Sequence, residues 1–436
     1  MQAVKISQFL NSHKLLAFQI RIFLFTFFIA FFDGYDTAAI GYIAPSLITE
    51  WGIEKSSLAP VLSAALFGLA LGAVSFGPIA DRVGRRWTLI VAVLIFAAGA
   101  IVSAFLTSLY ELEILRFITG IGLGAAMPNA VTLLSEYSPP QRSAFIVNTM
   151  FCGFPLGIAL GGFIASWLIP YYGWQSILIL GGAVPLILVL LMVFLLPESV
   201  NFLIVKGAPK SRIHVILKNI DKNLSEESEY VGEAGALPSS KGRGVKVVLS
   251  KHYFLGSILL CLTYFMGLVL FYGVINWMPT LFREINMSQG TASTVTGLFA
   301  VGGLGAIGSG WLMDRYNQRK ILALMCFLSF VGFALIGYVV HQPLVILISV
   351  ILISGVIMNT AQSSLPALAA GFFPTEGRTT GVSWMLGIGR FGGIFGSFLV
   401  AALVDRGFSV AEIFYVLAVP ALIQAICLWI KNIVYS

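Results

Sequence analysis

Residues 77–90 read GPIADRVGRRWTLI, a short charged segment between two long apolar runs. Residues 308–324 read GSGWLMDRYNQRKILAL and carry the same Asp-Arg pair and nearby basic residues, again between apolar runs. The two segments align Asp81 with Asp314. Because such a repeat occurs at equivalent places, the chain is predicted to consist of two related halves.

The second repeated pair of segments follows further along each half. SPPQRS at 138–143 is similar to FPTEGRT at 373–379, which aligns Arg142 with Arg378. One long polar stretch lies between the two halves. We therefore predict an N-terminal bundle at 1–196, a flexible cytoplasmic linker at 197–251 and a C-terminal bundle at 252–436.

The composition indicates that a lipid bilayer surrounds most of this chain. Of its 436 residues, 58% are hydrophobic and 10% are charged, and the mean hydropathy is +0.93. A soluble domain carries about 25% charged residues. The apolar runs are long and continuous, which is typical of membrane helices and not of barrel strands. The sequence predicts an all-α integral membrane protein.

We predict twelve membrane-spanning helices in two bundles of six. A span needs about 20 apolar residues, and each run meets this length. The predicted spans lie near 20–44, 58–80, 87–106, 110–134, 143–168, 174–196, 252–279, 291–313, 319–339, 342–370, 376–402 and 408–431.

The distribution of basic residues predicts the orientation of the chain. With both termini in the cytoplasm, most Lys and Arg lie on the cytoplasmic side, and the outer loops hold only Lys55, Arg283 and Arg406. The positive-inside rule favours this orientation. The first apolar run has no signal-peptide cleavage pattern, so we expect it to stay as the first helix.

Two aspartates interrupt the first predicted span, in FFDGYDTAAI at 31–40. Asp33 and Asp36 are three residues apart and share one face of a helix. A charge at the bilayer centre costs roughly 2.5–3.5 kcal/mol, and both burial and a like-charged neighbour favour the protonated carboxylic acid. We expect the pair to carry a coupling proton beside a water-filled cavity. A salt bridge that only joins two helices is the alternative.

Two arginines lie inside predicted spans. Arg116 is expected near the depth of Asp36, where it pairs with either aspartate unless the local Glu113 competes. Arg390, in GIGRFGGIFG at 387–396, is the best candidate for an anionic substrate, because a guanidinium binds a carboxylate through two hydrogen bonds. The glycines around it are expected to admit a neighbouring helix closely. The alternatives are a helix-packing charge for Arg116 and a buried ion pair for Arg390.

Polar and aromatic residues supply further candidates for substrate binding. Asn359 and Gln362 belong to a polar patch in the tenth span, which either hydrogen-bonds a hydroxylated substrate or joins neighbouring helices. Tyr35 and Trp277 are the aromatic side chains that we predict to contact a planar substrate, although packing is the commoner role. The aromatic residues considered for this contact are Tyr35, Tyr264, Phe271, Tyr272, Trp277 and Trp384.

Several other functions lack a sequence signal. The four cysteines and four histidines are scattered without metal-ligand spacing, so no metal and no cofactor are expected. The glycines of GIGLG at 120–124 lie inside a predicted span, which argues against dinucleotide binding. No Walker sequence occurs. An enzyme is therefore not expected, and the net charge of +7 is explained by membrane topology without nucleic acid.

At this point the motifs resemble a known family. GPIADRVGRRWTLI resembles the signature loop of the major facilitator superfamily, and RFITGIGLGAA at 116–126 and LPESVNFL at 196–203 resemble two of its helix motifs. DGYDTAAIGYIAPSL at 33–47 and YGVINWMPTLF at 272–282 are similar to segments of the aromatic acid:proton symporters. Members of that family carry compounds such as 4-hydroxybenzoate, protocatechuate and benzoate.

The resemblance implies a monomeric, proton-coupled importer of small aromatic acid anions in the cytoplasmic (inner) membrane. It works by alternating access, with only the anion, the proton and the lipid bilayer as partners. The rivals are an importer of sugar acids such as sialic acid, a drug antiporter, which the glycine spacing of span five disfavours, and a transporter-like sensor, which the short tail after the last span disfavours.

The resemblance also implies a gate at the cytoplasmic edge. Its charged residues are expected to hold the outward-open state together and to separate when the protein opens inward. Glu136, at the end of the fourth span, is placed to pair with Arg82 or Arg85. The predicted gating residues are Asp81, Arg85, Arg86, Glu136, Asp314 and Arg319.

Overall fold

The structure, a computed structural model, is almost entirely helical. Short turns connect long apolar helices, which keep their backbone hydrogen bonds within one segment, as a bilayer requires. The described residues are 3–5, 9–10, 17–139, 141–221, 229–231, 243–305 and 317–435.

The described residues of the first half, up to residue 196, form seven helices, each of which begins or ends within a few residues of a predicted span. A short 3-10 turn at Lys55–Ser57 precedes the second helix. The helices are α1 (Ala17–Trp51), α2 (Leu58–Val83), α3 (Arg85–Ser103), α4 (Leu109–Tyr137), α5 (Ser143–Phe151), α6 (Gly153–Tyr172) and α7 (Gln175–Leu195).

The fifth predicted span is interrupted at Cys152, between α5 and α6. Pro155 lies in the first turn of α6 and has no amide hydrogen to donate to the carbonyl of Phe151. The missing hydrogen bond accounts for the break at this point.

The remaining elements include three short helices before the second half. A three-residue strand β1 (Ala3–Lys5) pairs in parallel with β2 (Glu229–Val231), with Ala3 opposite Glu229. The helices are α8 (Val200–Val205), α9 (Lys210–Leu217), α10 (Arg243–Val248), α11 (Phe254–Glu284), α12 (Gln289–Val301), α13 (Gln318–Val339), α14 (Leu344–Phe372), α15 (Thr375–Asp405) and α16 (Val410–Val434). A 3-10 turn at Gly302–Gly305 follows α12.

The predicted class of an all-α membrane protein is confirmed. Within the described ranges, eleven helical segments are long and apolar enough to cross a membrane, α5 and α6 counting together as one. The eighth predicted span begins as α12, and its continuation at 306–313 lies outside the described residues, as does Asp314.

The flexible-linker interpretation of 197–251 is wrong for its first part. The helices α8 and α9 fold back on the first half, where they bury Val200, Leu203, Ile213 and Leu217 in the hydrophobic core that α1, α3, α4 and α7 share. Apolar side chains recurring every three or four residues explain this packing. The folded unit that begins with α1 therefore extends to about residue 220.

Close helix crossings occur at glycines on the two helices that carry Arg116 and Arg390. A Cβ on Gly392 would lie 2.1 Å from the carbonyl oxygen of Phe265, so α15 contacts α11 backbone to backbone. The predicted close approach around Arg390 is thereby confirmed. Gly124 brings α4 to α2 in the same way, since its Cβ would lie 2.1 Å from the carbonyl oxygen of Leu69.

The two halves meet at one end of the bundle, which carries the turns at 52–57 and 285–288. Lys55 Nζ lies 2.6 Å from Glu284 Oε1, and Gln289 Nε2 donates to the carbonyl of Tyr42 at 3.0 Å and to Ser46 Oγ at 2.8 Å. We call this end the closed end. The opposite end, which carries Gly84 and the segments 196–221 and 243–253, is called the linker end.

Candidate functional site

A buried ion pair joins α1 to α4. Arg116 Nη1 donates to Asp36 Oδ1 at 2.8 Å, and Arg116 Nη2 lies 2.8 Å from Asp36 Oδ2. Nη2 also donates to the backbone carbonyl of Asp36 at 3.2 Å. The side chains are 2% and 3% exposed, so water does not screen the pair. Of the partners considered for Arg116, the structure thus selects Asp36 over Asp33 and Glu113.

Asp33 lies one helical turn from Asp36 but is not held in the same way. The side chain is buried, and Oδ1 has no hydrogen-bond partner among the described residues. Gly34 brings α1 against α6, since its Cβ would lie 2.0 Å from the carbonyl oxygen of Phe154. A buried carboxylate without a partner is costly, and binding a proton removes that cost. The two aspartates are therefore chemically different.

Arg390 supplies a positive charge where the halves face each other. Its Nη1 donates a long hydrogen bond of 3.4 Å to the carbonyl of Leu69 on α2. Within the described part of the chain no carboxylate oxygen lies within 4.0 Å of its guanidinium. The expected alternative of a buried ion pair is not formed by the described residues. The guanidinium thus retains donors for a carboxylate.

A small cavity lies between the two halves, on the side of Leu69 nearer to the closed end. Side chains of α1 and α2 form an apolar wall, and polar groups of α4 and α11 lie opposite. An apolar cavity with a few convergent polar groups is typical of a small-molecule site. Its lining residues are Thr37, Ile40, Val61, Leu62, Ala65, Leu66, Leu69, Arg116, Leu123, Tyr272 and Asn276.

The two aromatic residues predicted to contact substrate do not line this cavity, and their role in substrate binding stays a prediction. Tyr35 Oη donates to the carbonyl of Ile177 at 3.0 Å, and its ring packs so closely on Gly181 that a Cβ there would lie 2.7 Å from Cε1. Trp277 is fully buried in the core at the closed end. Tyr272, one turn before Trp277 on α11, is the aromatic residue that lines the cavity.

Asn359 and Gln362 correspond to the alternative of helix joining and not to the predicted substrate contacts. Asn359 Nδ2 donates to the carbonyl of Phe299 at 3.0 Å and to that of its own helix at Gly355. Gln362 Nε2 donates to the carbonyl of Tyr264 at 3.3 Å. These amides satisfy backbone oxygens that the bilayer leaves without water.

The predicted gating residues near Gly84 lie at the linker end. Asp81 Oδ1 is 2.9 Å from Arg85 Nη1, one turn away in the same segment, and the Asp81 side chain is 67% exposed. The guanidinium of Arg86 donates to the carbonyl of Val193 on α7. These contacts all lie within the first half, so the charged loop does not contact the second half through them.

Glu198, which was not among the predicted residues, holds this loop. Its Oε1 accepts hydrogen bonds from the backbone N–H groups of Arg85 and Arg86 at 2.8 and 3.1 Å, at the N-terminus of α3. A helix N-terminus favours a negative charge. Glu136 instead accepts from the hydroxyl of Ser199, and the predicted pairing with Arg82 or Arg85 is not formed. The feature of the sequence that could have identified Glu198 is its position as an acidic residue just after a predicted span.

The equivalent loop in the second half is described only in part. The guanidinium of Arg319 donates to the carbonyl of Tyr435 at the end of α16, and its own carbonyl accepts from Asn432 Nδ2 at 2.9 Å. Arg319 thus ties α13 to the last helix, as a cation suits a helix C-terminus. Asp314 lies outside the described residues.

Helical halves that enclose a cavity and contain intramembrane charges define a membrane transporter. Residues 26–356 and 260–434 match the model of the Major Facilitator Superfamily. The chain is 45% identical to the 4-hydroxybenzoate transporter PcaK of Pseudomonas putida, over 99% of this chain and 97% of that protein. It is 40% identical to a gallate transporter of Pseudomonas putida, over 98% and 94%.

A solved structure shows the same fold. The inward-open conformation of the xylose transporter XylE from Escherichia coli superposes with a TM-score of 0.73 at 18% identity, over 94% of this chain and 95% of that chain. The chain belongs to the major facilitator superfamily, within the family that its 4-hydroxybenzoate and gallate relatives form. It is thus a multi-pass membrane transporter and not an enzyme, and the predicted fold and family are confirmed.

Proposed function

We propose that this protein imports small aromatic carboxylates of the 4-hydroxybenzoate class together with protons, through a bacterial cytoplasmic membrane. Its relatives are named as transporters of 4-hydroxybenzoate and gallate. The observation that carries the proposal is the guanidinium of Arg390, which donates to the carbonyl of Leu69 on the other half and has no carboxylate within 4.0 Å among the described residues.

Arg390 would couple the anion to the proton. In this scheme the charge of Arg390 favours the ionised form of Asp33 while no substrate is bound. A substrate carboxylate that binds Arg390 neutralises this charge, so Asp33 loses its favourable neighbour and takes up a proton. Anion and proton therefore bind together, and both charges are neutralised before the site moves across the membrane.

Asp36 and Arg116 would act as a fixed pair in this scheme. Arg116 already binds Asp36 through two hydrogen bonds, from Nη1 to Oδ1 and from Nη2 to the backbone carbonyl. This pair holds α1, which also carries Asp33, against α4. We assign the proton to Asp33 for this reason.

The contacts between the halves suggest how access alternates. We assign the closed end to the outside and the linker end to the cytoplasm, with both termini cytoplasmic, so that this state releases substrate inward. Opening outward must break the contacts of Gln289 with Tyr42 and Ser46 and the ion pair of Lys55 with Glu284. Asp81 and Arg85 then reach the other half when the linker end closes. The monomer contains all these parts.

The proposal is tested by uptake of labelled 4-hydroxybenzoate into proteoliposomes with an imposed inward proton gradient. We expect accumulation that a protonophore abolishes and that benzoate and protocatechuate inhibit, whereas sialic acid and gluconate do not. Arg390→Gln should reduce uptake at least tenfold, because one charge-assisted pair is lost. Inhibition by sialic acid, or uptake indifferent to the gradient, would contradict the proposal.

A disulfide at the closed end tests alternating access. A Cβ on Gly290 would lie 3.5 Å from Cβ of Ser166, which is within the range of a disulfide. In a variant whose native cysteines are replaced by serine, we expect Ser166→Cys with Gly290→Cys to lose uptake on oxidation and to regain it on reduction. The measurement is initial uptake rate before and after dithiothreitol.

The single variants Ser166→Cys and Gly290→Cys are the matched controls, and oxidation should leave their rates unchanged. Full transport by the cross-linked double variant would show that the closed end need not open, and would exclude the proposed cycle.

A further inference from the structure

Ser397 fixes the orientation of Asn276 within the cavity wall. Ser397 is fully buried on α15, and its hydroxyl donates to the carbonyl of Gly393 at 3.3 Å. Because its one proton is used there, Ser397 Oγ can only accept a hydrogen bond from Asn276, whose Nδ2 lies 3.0 Å away. The amide nitrogen of Asn276 therefore faces Ser397, and its Oδ1 is directed away from it.

Oδ1 of Asn276 is a hydrogen-bond acceptor without a donor in the described part of the chain. Asn276 lines the cavity, and none of its hydrogen bonds to described residues involves Oδ1. Oδ1 is not among the fully enclosed polar side-chain atoms that lack a hydrogen-bond partner. This agrees with an atom that opens on the cavity. A buried site that presents an acceptor favours a ligand with a donor at that point, because any other ligand leaves the acceptor unpaired.

The distance between Asn276 and Arg390 determines which part of a bound ligand Asn276 contacts. Ser397, which holds Asn276, follows Arg390 by seven residues on α15, which is about 10 Å along the helix. Leu69 accepts from Arg390 at the near edge of the cavity, and Asn276 lies further towards the closed end. A rigid ring whose carboxylate is at Arg390 thus presents its opposite edge to Asn276.

Along the helix axis, Tyr272 lies between the level of Arg390 and the level of Asn276. Gly393, three residues after Arg390, lies so close to Tyr272 that a Cβ there would be 2.5 Å from Cδ2 of the tyrosine. The Tyr272 ring also contacts the ring of Phe271 edge-on, with centroids 5.2 Å apart. Held on both sides, it offers an aromatic surface at the depth where a bound ring would lie.

On the basis of the proposed function, we propose that Asn276 accepts a hydrogen bond from a ring hydroxyl para to the substrate carboxylate, with Tyr272 beside the ring. The cavity then selects a hydrogen-bond donor at that position. 4-Hydroxybenzoate and 4-aminobenzoate carry such a donor, whereas benzoate and 4-methoxybenzoate do not. A site built to bond a hydroxyl discriminates strongly against analogues that lack it.

The test compares apparent KM values for labelled 4-hydroxybenzoate and labelled benzoate in proteoliposomes, with 4-aminobenzoate and 4-methoxybenzoate as competitors. The intact protein should prefer the two donors. Asn276→Leu should raise the KM for 4-hydroxybenzoate about tenfold, the usual effect of one lost hydrogen bond in a buried site, and leave that for benzoate almost unchanged. Ser397→Ala, which frees the amide to rotate, should weaken the preference in the same direction but less.

Asn129→Leu is the matched control, because Asn129 is a buried membrane amide that bonds only its own helix, at the carbonyl of Ala125. It should keep the preference of the intact protein. An unchanged preference in Asn276→Leu would overturn the assignment, as would equal KM values for both acids in the intact protein. If Asn276→Leu does not fold, an unchanged preference in Ser397→Ala has the same meaning. Failure of the intact protein to take up any aromatic acid would instead overturn the proposed function.

Discussion

Replacing Asp33 with Asn will abolish proton-driven accumulation of substrate but preserve its exchange across the membrane. The amide has the shape of the protonated acid and cannot release a proton. The variant is therefore held in the form that we assign to the loaded carrier, in which Arg390 is free to bind the anion. The carrier can still reorient across the membrane with substrate bound, whereas the empty carrier cannot return.

Two assays on the same proteoliposomes separate these steps. Gradient-driven uptake of labelled 4-hydroxybenzoate should fall to the level of empty liposomes. Counterflow, in which unlabelled substrate inside exchanges for labelled substrate outside, should stay within about threefold of the intact protein, because substrate binding at Arg390 is retained. Loss of both activities would mean that Asp33 positions the substrate and does not carry the proton.

Breaking the buried pair of Asp36 and Arg116 will lower stability more than any other single change at the site. Removing one partner of a buried ion pair leaves an uncompensated charge and typically costs about 3–5 kcal/mol. Both side chains are at most 3% exposed, so solvent cannot take over the role of the lost partner. We expect Asp36→Leu and Arg116→Met each to lower the thermal unfolding temperature in detergent and to abolish uptake.

The double variant Asp36→Leu with Arg116→Met distinguishes stability from function. Because well-packed apolar residues often replace a buried pair without loss, its unfolding temperature should recover towards that of the intact protein, while uptake stays absent. The control is Asp81→Ala, whose partner Arg85 lies at the exposed linker end. Such a surface pair contributes about 0–1 kcal/mol, so its unfolding temperature should barely change. Equal effects of Asp81→Ala and Asp36→Leu would contradict the central role of the buried pair.

The candidate site could be predicted from the sequence only where a residue is chemically out of place. Asp33, Asp36, Arg116 and Arg390 stand out because charges inside apolar spans are rare and costly. The structure brings Asp36 and Arg116 into contact, as their depth in the spans suggested. For Glu198, the local sequence showed an acidic residue just after a span. It did not show that this residue binds the N-terminus of α3.

The sequence by itself determined the class, the order and the depth of the helices. The length of each apolar run, the positions of glycines and the uneven distribution of basic residues can be read from the sequence alone. In a bilayer these properties determine where the membrane-spanning helices lie. The folding of 199–220 onto the first half was less evident, since short amphipathic segments are read as part of a polar linker.

Only the tertiary structure decided which face of each helix meets the cavity. A membrane helix is apolar on all sides, so its sequence has no polar face that marks its rotation. The result is visible on α11, where Tyr272 and Asn276 line the cavity and Trp277, a single residue further, is fully buried. Glycine contacts between helices fix this rotation, and they depend on which helices are neighbours.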